Sequence, residues 1–140
     1  MLNEIFKGMD NAAEVINDNF QMIGKTQLVT ANRDLNLVGV QKVTGFTQLP
    51  KYVDVYGVVL TSGPGISIGH VDSSGMQLSV GLNLDGNATY GGQAVRFETS
   101  NGNVIHGNVT LNDDKTVDIE WVRVGAGVTG NAVIRLVAHY

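Results

Sequence analysis

Cysteine is absent from this chain, and proline occurs only twice in 140 residues. The first absence excludes disulfides, thiolate metal sites and cysteine nucleophiles, so stability must come from packing and association. Charge is sparse as well. Charged residues make up 16% of the chain, low for a soluble domain, and that scarcity fits a protein that hides surface in an oligomer. The basic residues do not cluster: Lys25, Arg33, Lys42 and Lys51 are spread out, as are Arg96, Arg123 and Arg135. With a net charge of −4, this gives no footprint for a nucleic-acid partner. No apolar run approaches the length of a membrane span, and no basic stretch followed by an apolar run opens the chain. The expectation is a protein made in a cytoplasm without a signal peptide and not inserted into membranes.

Eighteen glycines, alongside abundant asparagine, describe many tight turns, since both residues tolerate the positive φ that hairpins demand. Val, Ile and Leu stay frequent throughout, and hydrophobic residues reach 43%, enough for one domain with a real core. From Lys51 the strand signal is clear. KYVDVYGVVL is β-branched and aromatic and runs into the turn TSGPG. ISIGHV, MQLSVGLNL, AVRFET, VIHGNVTLN, TVDIEWVRV and GNAVIRLVAHY follow as further strands. Between them stand the turns DSSG, DGNA, YGG, SNGN, NDDKT and VGAGVTGN. Turns every eight to twelve residues predict an antiparallel β-sandwich or barrel. In MQLSVGLNL, Met76, Leu78, Val80, Leu82 and Leu84 share one face. The last strand should sit inside a sheet and tie down the C-terminus.

The first 24 residues read differently. Leu2, Phe6, Met9, Ala13, Ile16, Phe20 and Ile23 recur in steps of three and four, the spacing of a coiled-coil seam. Asp10 or Asn11 can cap a helix with Glu14 completing a capping box, and Gly24 supplies the stop. So short a helix needs a packing partner. Copies of itself fit the seam, and an edge of its own β domain is the alternative. The expected organisation is therefore a helical trimerisation and attachment segment (1–24), a connector of short strands or threaded chain (25–50) and a β-rich head (51–140).

Motifs for catalysis are thin. His70, His106 and His139 each stand alone, and no HExxH, phosphate loop or GxSxG elbow is present. His70 and Asp72 can share a strand face like part of a triad, but no nucleophile is placed beside them. Asp113 and Asp114 fall in a turn without the ligand spacing of an EF-hand. Asp118 and Glu120 share a strand face, which suits either a glycosidase pair or a solvated surface. Trp121 with Asp118, Glu120 and Arg123 makes a candidate saccharide site, an aromatic platform with hydroxyl-binding neighbours. The competing reading puts Trp121 in the core, in line with Val117 and Ile119. No cofactor or metal is expected, and no enzymatic activity.

The stretch FKGMDNAAEVINDNFQMIG, residues 6–24, resembles the N-terminus of receptor-binding and baseplate proteins of phages infecting lactococci and related Gram-positive bacteria. Phe6, Lys7, Gly8, Met9, Asn11, Ala13, Glu14, Ile16, Asn17 and Asp18 carry the likeness, and Phe20 and Ile23 continue the apolar seam. The resemblance implies a homotrimer held in the tail or baseplate of a virion through its N-terminus, next to other virion proteins. It also implies a β-rich head that binds host cell-wall saccharide. It does not extend to residues of the head. A head fibre or decoration protein without glycan binding is the alternative.

Overall fold

The computed structural model describes residues 25–60 and 65–140, and the expected helix with its seam from Leu2 to Ile23 lies outside them. The described residues form ten strands and no helix. They are β1 (Thr26–Asp34), β2 (Gly39–Val43), β3 (Tyr52–Val59), β4 (Ile66–Asp72) and β5 (Gln77–Leu82), then β6 (Ala88–Gly91), β7 (Val95–Glu98), β8 (Val104–Leu111), β9 (Val117–Val124) and β10 (Asn131–His139). Every pairing is antiparallel. A six-stranded sheet runs β1-β10-β3-β4-β5-β6, and a four-stranded sheet runs β2-β9-β8-β7.

The period of two along the strands builds a core between the sheets. From the six-stranded sheet, Val53 and Val55 of β3, Val71 of β4 and Ile134 and Leu136 of β10 point inward. Phe97, Ile105, Val109, Val117, Ile119 and Trp121 answer from the other sheet, and both sets belong to one buried cluster. Close approach dictates glycine at two inward positions. A Cβ on Gly57 would stand 2.6 Å from the ring of Phe97, and one on Gly69 would stand 1.8 Å from the carbonyl oxygen of Ala94. The second neighbour is backbone and cannot swing aside. The Gln77 amide clips the layers together: it accepts from Val109 N (2.8 Å) and donates to Val109 O (3.0 Å).

The turns obey their local chemistry. In DSSG, Asp72 Oδ1 accepts from the Ser74 and Met76 amides, and Gly75 takes a φ of +84°. SNGN closes with Thr99 N donating to Asn103 O (2.9 Å), and NDDKT closes with Asn112 N donating to Thr116 O (2.9 Å). The final strand lies between β1 and β3, inside its sheet as its sequence predicts.

Two expectations change, and one that holds gains a direction. Of the two readings of residues 25–50, short strands hold and threaded chain does not: β1 pairs with β10 along nine residues and β2 pairs with β9, so this segment gives each sheet an edge strand. Its loose alternation of Leu and Val marks strands that bury only one side. YGG is not wholly a turn, because Tyr90 and Gly91 close strand β6 against β5. Most informative is β5. Its alternation is real, but Leu78, Val80 and Leu82 point away from the core while Ser79 is buried and Gly81 half-buried.

Candidate functional site

The outward side of the six-stranded sheet is the unusual surface of this molecule. Register aligns its side chains in rows across the strands. One row reads Thr30, Arg135, Tyr56, Ile68, Val80 and Tyr90 from β1 to β6, and the next reads Asn32, Val133, Val58, Ile66, Leu82 and Ala88. Leu28, Tyr56, Val58, Ile68, Leu78, Val80, Leu82 and Tyr90 are all exposed there, Tyr90 at 85%. Contiguous apolar surface of this kind is uncommon on the outside of a domain. Toward the β1 edge it dips into a hollow of about 630 Å³ lined by Leu28, Tyr56, Val58, Leu60, Val133, Arg135 and Val137. Arg135 is the one charge in that lining and has no ion-pair partner among the described residues.

A polar cluster occupies one end of the same face. Asp54 of β3 stands between His70 of β4, directly opposite it in register, and His139 of β10, which is opposite Tyr52 and reaches it diagonally. Its Oδ1 is 2.9 Å from His70 Nδ1 and its Oδ2 is 2.9 Å from His139 Nε2. Tyr52 stacks on the His139 ring with centroids 4.1 Å apart. Both carboxylate oxygens are thus spent on imidazoles, and neither ring has a nucleophile beside it among these contacts. Among the described residues, no group of three or more His, Asp or Glu side chains is placed to hold a metal ion. His70 turns to Asp54 and not to Asp72, whose carboxyl lies below its ordinary pKa chiefly because Ser74 donates to it. Sequence reasoning missed Asp54 and His139, since their meeting depends on the register of three strands. The trace that was visible is an Asp flanked by valines, on the same strand face as Tyr52 and Tyr56.

The domain has two unlike ends. At one end the segment preceding β1 arrives, with Tyr140 N donating to Lys25 O (3.2 Å), and the Asp54 cluster lies there. At the other end loops 35–38, 83–87, 99–103 and 125–130 are bonded to one another. Leu35 N donates to Gly130 O (2.7 Å), Ser100 N to Asp85 Oδ2 (2.8 Å) and Ala126 N to Asn103 Oδ1 (3.0 Å). The bonds from Ser100 hold the Asp85 carboxyl below its ordinary pKa.

The four residues read as a saccharide site do not form one. Trp121 is 1% exposed, in the core between the sheets, and its indole N–H donates to Gln41 Oε1 (2.9 Å). Arg33 lies over its ring at 5.4 Å. Asp118 and Glu120 point to the opposite side of β9, where Lys42 Nζ comes within 3.6 Å of Asp118 and 3.7 Å of Asp114. Arg123 donates to the carbonyls of Leu35 and Asn36 and so braces loop 35–38. The period of two separates the ring from the carboxylates, and the core reading of Trp121 holds.

No protein family, curated protein or solved structure matches this chain. A functional reading therefore rests on the polarity of the domain: one end that receives the N-terminal segment, one apolar flank, and one end of interlinked loops.

Proposed function

We propose that this chain is a receptor-binding protein of a phage tail or baseplate, a non-enzymatic homotrimer attached through residues 1–24. It meets host cell-wall saccharide with the loops at the opposite end of the β domain. The observation that carries this reading is the separation of the two ends. The chain comes into β1 beside Tyr140, while the bonded loops lie a full strand length away. Loops fixed on a rigid scaffold are where binding residues concentrate. Three weak sites on one body would gain avidity through effective concentration. The likeness of residues 6–24 to phage attachment segments supports the virion setting.

One observation favours a second reading. Loops 35–38, 83–87, 99–103 and 125–130 carry no Trp, Tyr or Phe, so they offer no ring to a pyranose. A head fibre or decoration protein needs none. Two measurements on the full chain decide. Sedimentation should give a trimer that Phe20→Asp converts to monomer, because a charge would be buried in the seam without a partner. The trimer should also bind purified cell-wall polysaccharide. A parent chain that is monomeric at micromolar concentration overturns the homotrimer, and a trimer that binds no wall material selects decoration.

A further inference from the structure

We infer that the outer face of the six-stranded sheet is the surface through which copies of this chain pack on one another, an inference that rests on the homotrimer proposed above. Four observations converge on a second copy as the occupant.

The first is β5, where Leu78, Val80 and Leu82 are turned outward over a buried Ser79. A strand that gives its apolar side to the outside and its small polar side to the core is arranged for a covered outer face. The second is width. Six strands at ~4.8 Å spacing span roughly 25–30 Å, whereas one helix is about 10 Å across and masks only two or three strands. A single helix is therefore too narrow to cover a face whose exposed apolar side chains run from Leu28 on β1 to Tyr90 on β6. Another sheet is wide enough. Four rows of side chains at ~6.7 Å intervals give roughly 600–700 Å² in plan, close to the ~800 Å² per partner of a standard interface.

The third observation is continuity. β1 is the strand that residues 1–24 lead into, and it belongs to this sheet, tied down at once by the bond between Tyr140 N and Lys25 O. In the proposed trimer the associating N-terminal segments therefore enter each copy through an edge strand of this sheet. The fourth is Arg135, a guanidinium in an apolar hollow with no ion-pair partner among the described residues. A copy that covers it has to bring an acceptor. A saccharide does not suit the face, since most of its exposed side chains are aliphatic.

The chain has no cysteine, so single thiols report cleanly on each face. Ile68→Cys places one at the middle of the apolar face, and Thr110→Cys places one on the outer side of the four-stranded sheet. In the full-length trimer, maleimide should modify Ile68→Cys at least about ten-fold more slowly than Thr110→Cys, as expected when access limits a thiol. Val80→Cys, one strand over in the same row, repeats the measurement if the first variant folds poorly. Equal rates in a chain that sediments as a trimer overturn the inference and leave the homotrimer standing. A monomer with both thiols fast removes both. A monomer in which Ile68→Cys stays slow assigns the face to the chain's own residues 1–24, and likewise overturns both.

Discussion

The two sheets share one core but turn opposite surfaces outward. Beyond the four-stranded sheet stand Lys42, Asp118, Glu120, Asn108, Thr110, His106, Arg96 and Glu98, with Val40, Val122 and Val124 among them. Ion pairs cross that surface, between Lys42 and Asp118 and between Arg96 and Glu98. The six-stranded sheet presents Val, Leu, Ile and Tyr in rows, with Thr30, Asn32 and Arg135 toward its β1 edge and a polar cluster at one end around Asp54. Strand spacing and pleat are alike in both, so secondary structure does not account for the difference. One flank of the domain is dressed mostly for water, and the other is the face we infer to pack on a second copy.

Substitutions can sharpen this contrast. The largest effect is expected where an aromatic ring belongs to the core and not to a face. Trp121→Ala should destabilise the domain by about 3–5 kcal/mol, the range for a large buried ring. Tyr90→Ala, on the exposed β6 edge, should cost less than about 0.5 kcal/mol within one subunit. Urea unfolding of both variants at matched protein concentration checks the pair, and similar losses would break the distinction between inner and outer aromatics.

A smaller effect concerns the polar flank. Burial, and then the cross-strand neighbour Arg96, hold the His106 imidazole below its ordinary pKa. The unfolded chain therefore takes up that proton more readily than the folded one. His106 contributes a loss of stability that sets in as pH falls through about 6.5 and levels off below its folded value. His106→Gln should flatten that part of the curve, read as urea midpoints at pH 7.5 and 5. An unchanged slope would remove His106 as its source.

The smallest effect lies under the apolar flank. Ser79 Oγ is buried with no hydrogen-bond partner among the described residues. Ser79→Ala deletes an unsatisfied group and should raise stability by up to about 1 kcal/mol. A lower urea midpoint would mean that the hydroxyl has an acceptor in the assembled protein.

Strands and turns were legible because their signals are local. Asp72 with Gly75 makes its turn from within four residues, and spacing alone puts Val53, Val55 and Val59 on one side of β3. What spacing cannot tell is which side is inward. In β9 the apolar side faces the core and Trp121 goes with it; in β5 the apolar side faces out. The expected saccharide site fails on spacing itself, since the period of two puts Trp121 and Asp118 on opposite sides of one strand. The Asp54 cluster was hidden for another reason. It joins residues up to 85 positions apart, and only the register of β10, β3 and β4 sets them side by side.

The pairing of β1 with β10 has a mechanical consequence. If a particle holds the chain through the segment before Thr26 while its loops grip a cell, the pull runs along β1. Backbone hydrogen bonds stand perpendicular to the strands, so this load shears the whole nine-residue ladder at once instead of peeling it bond by bond. An edge strand that would come away readily from its side is, along this axis, the tether's strongest attachment.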